Sequence, residues 1–343
     1  MAQTLRRYAN PRPDGADAAM AESAILQAVA YSDIFDYPLT GAEIHRYMVG
    51  IGASLESVQA LLSGDSLSAR LSHRSGFYLI PGRDPIVETR RGRSEVAASM
   101  WPRARRYGAT IARLPFVRMV AVTGALAMDN VDPNTDIDYL VVTEPGRLWL
   151  CRAMVVAFVR LAARQGDLIC PNYFLSAQSL ALGEPDLFTA HELVQMVPLA
   201  GLDTYRQMCR LNSWAGWFLP NAFNAPRRAG PEAPPVALHR DGASLHDGVA
   251  KPRASRAAES ALRSPIGASL ERWEMRRKVR KLSGQAESGE ATCDFPAEID
   301  LTADHCKGHF DSHRRRTIDA YSQRLDRLAV GFPEITGPEA ASA

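Results

Sequence analysis

Apolar residues recur at helical intervals through the first eighty positions and then switch to strand-like alternation. Ile25, Ala28 and Val29 form a first helical stripe, and Ile44 and Tyr47 form a second. Thr40 stands before that second stripe and Glu43 follows three residues on, so the pair predicts a capping box. Leu55, Val58, Leu61 and Leu62 mark a third helix, spanning 54–67. Positions 71–80 alternate around Ser75-Gly76 and predict a tight hairpin. Residues 83–113 form an arginine-rich connecting segment. Beyond it, 116–122 and the run from Ile137 to Val142 read as strands, 148–163 as a packed helix between strands, and 168–175 as a third strand. Asp186 is placed to cap a helix over 187–197 that Pro198 ends. A further helix over 202–218 carries Tyr205, Met208, Leu211, Trp214 and Trp217 on its apolar face.

This pattern predicts an α/β (α+β) fold, a mixed sheet flanked by helices. The order of parts is a disordered stretch at 1–20, a helical module with its hairpin at 21–82, a connector at 83–114 and the strand-bearing domain at 115–224. Pro, Ala, Arg, Gly and Ser dominate 225–264 without periodicity, which predicts a flexible linker. A basic helical region follows at 265–330 and a disordered tail at 331–343. With 343 residues, 46% hydrophobic and 23% charged, the chain is long enough for two or three modules with cores of their own.

The net charge of +2 argues against a globally basic nucleic-acid coat. Five scattered cysteines, Cys151, Cys170, Cys209, Cys293 and Cys306, give no disulfide framework and point to a reducing compartment. The N-terminus lacks a signal-peptide apolar region. Arg152 and Arg160 interrupt the longest apolar stretch, so no membrane span is expected and the cytoplasm is the expected location.

The chemistry concentrates in Val122-Thr123-Gly124-Ala125 and Asp136-Ile137-Asp138. A glycine turn lets backbone approach a ligand closely, and the helix that opens at Ala125 presents free amides suited to phosphate oxygens. Side chains two apart on a strand point the same way, so Asp136 and Asp138 converge at a sheet edge, with Leu140 and Val142 continuing their face and Ile137, Tyr139 and Val141 opposite.

A glycine turn, an intervening stretch of about ten residues and an Asp-x-Asp on the next strand resemble the nucleotidyltransferase superfamily, the polymerase-beta-like fold; the match covers roughly 116–176. The resemblance implies that Asp136 and Asp138 hold two magnesium ions, or manganese. It also implies that Thr123, Gly124 and Ala125 form the phosphate turn of a nucleoside triphosphate, and that the acceptor is a hydroxyl group on a small molecule, a protein or a nucleic-acid end. Two positions depart from the family. Ala125 stands where serine or glycine is usual. The third carboxylate is expected on the strand at 168–175, where Asn172 aligns best and Asp167 is the substitute, and an amide cannot act as a general base. A regulator or antitoxin-like module that binds nucleotide without turnover is the alternative; a sugar-nucleotide glycosyltransferase fits less well.

The order helix, helix, helix, hairpin resembles a winged helix. DNA binding is not favoured, since 54–67 carries no basic residue and only Arg70 and Arg74 lie near. Of the connector arginines Arg90, Arg91, Arg93, Arg103, Arg105 and Arg106, one or two are candidates to reach a triphosphate. His191 and Glu192, adjacent on one helix, cannot share a face, and His191 reads as a hydrogen-bonded core histidine. Residues 270–282 form a basic amphipathic helix. Cys306, His309 and His313 fall at helical offsets that suit zinc, with His305 or Cys293 completing the set. Lys307, His309 and His313 alternatively form an anion-binding surface.

Overall fold

The computed structural model describes residues 15–133, 135–164, 168–183, 185–223, 251–287, 300–307, 313–333 and 335. Within them the chain is mixed α/β: a six-stranded mixed sheet carries helices on both faces, and a two-stranded antiparallel sheet lies apart from it.

Helix α1 (Gly15–Asp33) starts inside the span read as disordered at 1–20, and residues 1–14 lie outside the described ones. Nearly every residue from Ala24 to Tyr31 is buried, so this helix is a core element apolar on all sides. Helix α2 (Gly41–Tyr47) opens with the capping box: Glu43 N–H donates to Thr40 Oγ1, and Thr40 N–H donates to the Glu43 carboxylate at 2.9 Å. Ser54 caps α3 (Leu55–Leu62), which stops earlier than its apolar pattern suggested because Gly64 precedes a separate turn, α4 (Asp65–Ser68). Strands β1 (Ser72–Arg74) and β2 (Phe77–Leu79) pair across Ser75-Gly76, both at positive φ, the geometry that a two-residue hairpin turn requires.

The connector is one 27-residue helix, α5 (Ile86–Ala112), with Pro102 inside it. Arg90 leaves it for the core of the N-terminal module. Its guanidinium stacks 4.0 Å from the Tyr37 ring and 4.6 Å from Phe77, and donates to both Glu43 carboxylate oxygens at 2.9 and 2.7 Å. Burial alone would raise the Glu43 carboxyl; the Arg90 bonds and charge, with the Thr40 donors, hold it below its usual range instead. Arg93 spans the Asp132 carboxylate with two bonds, and Arg91 pairs with Glu88 at the surface. Arg90 and Arg93 are therefore structural clamps, not free cations awaiting a triphosphate.

Strand β3 (Val117–Val122) leads through α6 (Gly124–Ala127) to β4 (Ile137–Thr143); α7 (Leu148–Ala163) crosses over to β5 (Ile169–Ser176). Helix α8 (Leu187–Gln195), capped by the Asp186 carboxylate at 2.7 Å from Thr189 N, ends before the position expected. Residues Val197–Ala200 form strand β6, so Pro198 sits on a sheet-edge strand, where a missing N–H costs least. The helix expected over 202–218 is broken into α9 (Leu202–Leu211) and α10 (Ala215–Phe218). At the break, buried Asn212 turns its amide to Leu180 O and Leu182 N instead of solvent. Then follow α11 (Pro220–Phe223), α12 (Arg253–Leu262), α13 (Pro265–Glu287), β7 (Asp300–Leu301), β8 (His305–Lys307) and α14 (His313–Arg327).

The strand order is β6-β3-β4-β5-β8-β7. Only β4 and β5 run parallel, as the α7 crossover dictates. Alternation divides the two cores. Ile137, Tyr139 and Val141 pack with Trp101, Ile111 and Trp149 on one face, while Leu140 and Val142 pack with Ile25, Leu193 and Met208 on the other.

Within the span read as a flexible linker, α12 is ordered and useful: Glu259 accepts from Phe116 N at 2.7 Å, where Phe116 is held at positive φ. Residues 224–250 lie outside the described ones. The basic face of α13 conceals an acidic one, for buried Glu271 accepts from Trp149 N and Leu150 N at 2.7 and 2.8 Å and so caps α7, which has no cap of its own. No described helix is long and apolar enough to cross a membrane.

Candidate metal centre

Three chain segments meet at one end of the sheet, where β3 finishes and β4 and β5 begin. Val122 pairs with Tyr139, and Thr123 N donates to Asp138 O at 3.1 Å, which fixes the glycine turn against the acidic strand. Gly124 follows at φ +64, and a Cβ on it would stand 2.5 Å from Asp138 Oδ2. Glycine is required there both for backbone conformation and for contact. The site is at the beginning of an interior strand, β4.

The loop between the turn and the acids is anchored from outside. Trp101 Nε1 donates to Asp129 Oδ1 at 2.6 Å, Arg93 spans Asp132, and Asn130 Nδ2 donates to Phe35 O at 2.9 Å. The sequence left open a ligand contact for one or two of the α5 arginines; the structure gives Arg93 the task of holding the loop that delivers Asp136.

Asp136 and Asp138 are joined by Cys170, and one ligand atom from each of the three lies within 4.8 Å of the others. All three are half-buried. The thiol lies beside both carboxylates. Cys170, not Asn172, is the β5 partner of Asp138. From that pairing to the next, Leu140 with Tyr173, β5 advances from 170 to 173 while β4 advances from 138 to 140. The extra residue is a bulge and Asn172 falls inside it, so counting along an ideal strand does not find the partner of Asp138. Asp167 lies outside the described residues.

Electrostatics follow from this crowding. Burial, then the charges of Asp136 and Glu192, raise the Asp138 carboxyl to about 7, while the Cys170 thiol acts in the opposite direction. Burial and the two carboxylates push the Cys170 thiol up to about 12. Among the described residues neither aspartate has an ion-pair partner.

Glu192, which the sequence showed only as the neighbour of His191, is exposed in the second half of α8, and its charge acts on Asp138. Surrounding protein raises its carboxyl, and Lys307 works against the rise. Lys307 arrives from β8, paired opposite Tyr173 on the Asp138 face. Its neighbour in sequence, Cys306, is buried in the other core beside Phe174, so the helical Cys306/His309/His313 zinc face does not form. His305 donates to or accepts from Ser179 Oγ at 2.8 Å, His313 begins α14 at the surface, and His309 lies outside the described residues.

His191 points away from Glu192, into the core. Its ring stacks on Tyr31 at 3.8 Å, Gln195 bonds its Nδ1, and burial pushes its value down to about 3. No local motif marks Glu192 or Cys170; both are brought in by long-range packing.

The chain matches no family model, no curated protein and no solved structure.

Proposed function

We propose that this protein is a metal-dependent nucleotidyltransferase that moves a nucleoside monophosphate from a nucleoside triphosphate to a hydroxyl acceptor, releasing pyrophosphate. The observation that carries this reading is the packing of the Gly124 turn directly on Asp138, with Asp136 and Cys170 alongside. Two half-buried carboxylates that have no ion-pair partner among the described residues form a donor set that suits a divalent cation. Asp136 and Asp138 would hold it, and when bound it would neutralise phosphate charge and polarise the reacting phosphoryl group.

The remaining roles belong to the chain itself. Thr123, Gly124 and Ala125 offer backbone beside the carboxylates for phosphate oxygens. Arg93 and Trp101 keep the intervening loop in place. Glu192, exposed and with its carboxyl raised, is the group we assign to take the proton from the acceptor hydroxyl, the task that Asn172 cannot perform.

The helices and hairpin of the front module support a winged-helix reading with a protein-contact role. Helix α3 has no basic residue, Arg70 donates to the carbonyls of Leu328 and Ala329, and Arg74 pairs with Asp84, so the nearby cations are engaged within the chain. Among the described residues Cys151, Cys170 and Cys209 form no disulfide, which supports a cytoplasmic setting.

Calorimetry with each nucleoside triphosphate and a divalent metal, paired with pyrophosphate release, tests the proposal. Binding that Asp138→Asn abolishes, together with acceptor-dependent release, supports it; no binding of any triphosphate overturns it. A nucleotide-binding regulator is the second reading, favoured by the thiol of Cys170 where a third carboxylate is usual. Binding without release under any acceptor would select it.

A further inference from the structure

We propose that Cys170 is a metal ligand, and that the Asp136, Asp138 and Cys170 donor set selects a thiophilic divalent ion of the zinc and cobalt class over magnesium. This rests on reading the carboxylates as a metal site and specifies which metal that site takes.

Geometry supplies the first argument. Ligand atoms around one tetrahedral zinc stand about 3.3–3.8 Å apart, given bond lengths of about 2.0–2.3 Å. The three donors here already lie within 4.8 Å of one another, so small side-chain movements close the shell. Placement is the second argument. The register of β5 sets Cys170 opposite Asp138, so sulfur is a third donor that the fold presents beside the two carboxylates. Donor chemistry is the third. A thiol contributes little to a hard ion that holds its waters tightly, whereas thiolate favours zinc and cobalt. The thiol lies beside the carboxylates; on metal binding its proton leaves to solvent, and sulfur and both carboxylates turn to the cation.

The full-length protein, stripped with a chelator, is titrated with Co2+ and followed by absorption. The expected result is one cobalt per chain with a near-ultraviolet sulfur-to-cobalt charge-transfer band, displaced by stoichiometric Zn2+ and resistant to a large excess of Mg2+. Cys170→Ser should lose that band and keep visible cobalt absorption. Its zinc affinity should fall by more than the roughly 10–100-fold that loss of an outer-shell partner costs. Cys170→Asp should move the preference towards Mg2+ and Mn2+.

Cobalt bound without the sulfur band, or a band that survives in Cys170→Ser, overturns the assignment of Cys170. In that case Mg2+ binding that Asp138→Asn abolishes leaves the carboxylate site and the proposed activity standing. If neither Co2+, Zn2+ nor Mg2+ binds, both fall together. The wild-type spectrum decides the matter even if a variant fails to fold.

Discussion

Gly124 sits so close to Asp138 that a single carbon added at position 124 would stand 2.5 Å from Asp138 Oδ2. Gly124→Ala must relocate either the turn or the carboxylate. The positive φ adds its own cost of roughly 1–2 kcal/mol for an L-residue. We expect urea unfolding to show a loss of about 2 kcal/mol, and metal titration to show weaker binding than in wild type. A variant with unchanged stability and affinity would mean that the turn and the carboxylate are not coupled.

Asp138 gives the metal-free protein a pH signature of known sign. Its folded value of about 7 lies above the unfolded value of about 3.9, so the folded state holds its proton more tightly. Stability is fully present below about pH 4 and is lost as pH rises towards 7, by at most about 4 kcal/mol. Asp138→Asn should remove this contribution, so that stability rises more steeply with pH across that window than in wild type, where Asp138 and His191 oppose each other. The same pH dependence of melting temperature in wild type and Asp138→Asn between pH 4 and 7 would contradict the crowding described.

His191 acts in the opposite direction. Its folded value is depressed to about 3, so acidification below about pH 6.5 charges the histidine in the unfolded chain first and stability falls, at about 1.4 kcal/mol per unit for a single site. His191→Phe keeps a ring against Tyr31 and cannot take a proton. Proton uptake on unfolding, measured calorimetrically at pH 5, should be about one smaller in the variant.

The Arg90 and Glu43 pair joins α5 to the N-terminal module through a half-buried network. Removing one partner strands the other, so Arg90→Ala should destabilise by about 3–5 kcal/mol. Replacing both, as Arg90→Met with Glu43→Met, should recover part of that loss. Equal instability of the single and double variants in denaturant unfolding would show that no such charge is stranded.

The legible parts of this protein were those governed by neighbours in sequence. Thr40 and Glu43 forecast a capping box, Ser75-Gly76 a hairpin, and Gly124 with Asp136 and Asp138 a turn feeding two acids onto one strand face, because each depends on a few adjacent dihedrals. The parts that were not legible depended on partners far along the chain. A one-residue bulge put Cys170 where Asn172 was expected, and packing of α8 carried Glu192 to the same face. Composition misled at α12: prolines before it suggested a linker, although its own Arg-Ala-Ser-Arg-Ala-Ala-Glu run is rich in strong helix formers. Asn212 broke a helix that periodicity read as continuous, because its amide serves a loop some thirty positions earlier.

The pairing of β8 with β5 joins Phe174 to Cys306. A ribosome making this protein must therefore complete most of the chain before the strand carrying Cys170 acquires its outer neighbour. Until then β5 offers an open row of amides and carbonyls to any extended segment nearby. Synthesis that stops short of residue 307 leaves a sticky border, and such products should collect as aggregates before they could be scored as inactive.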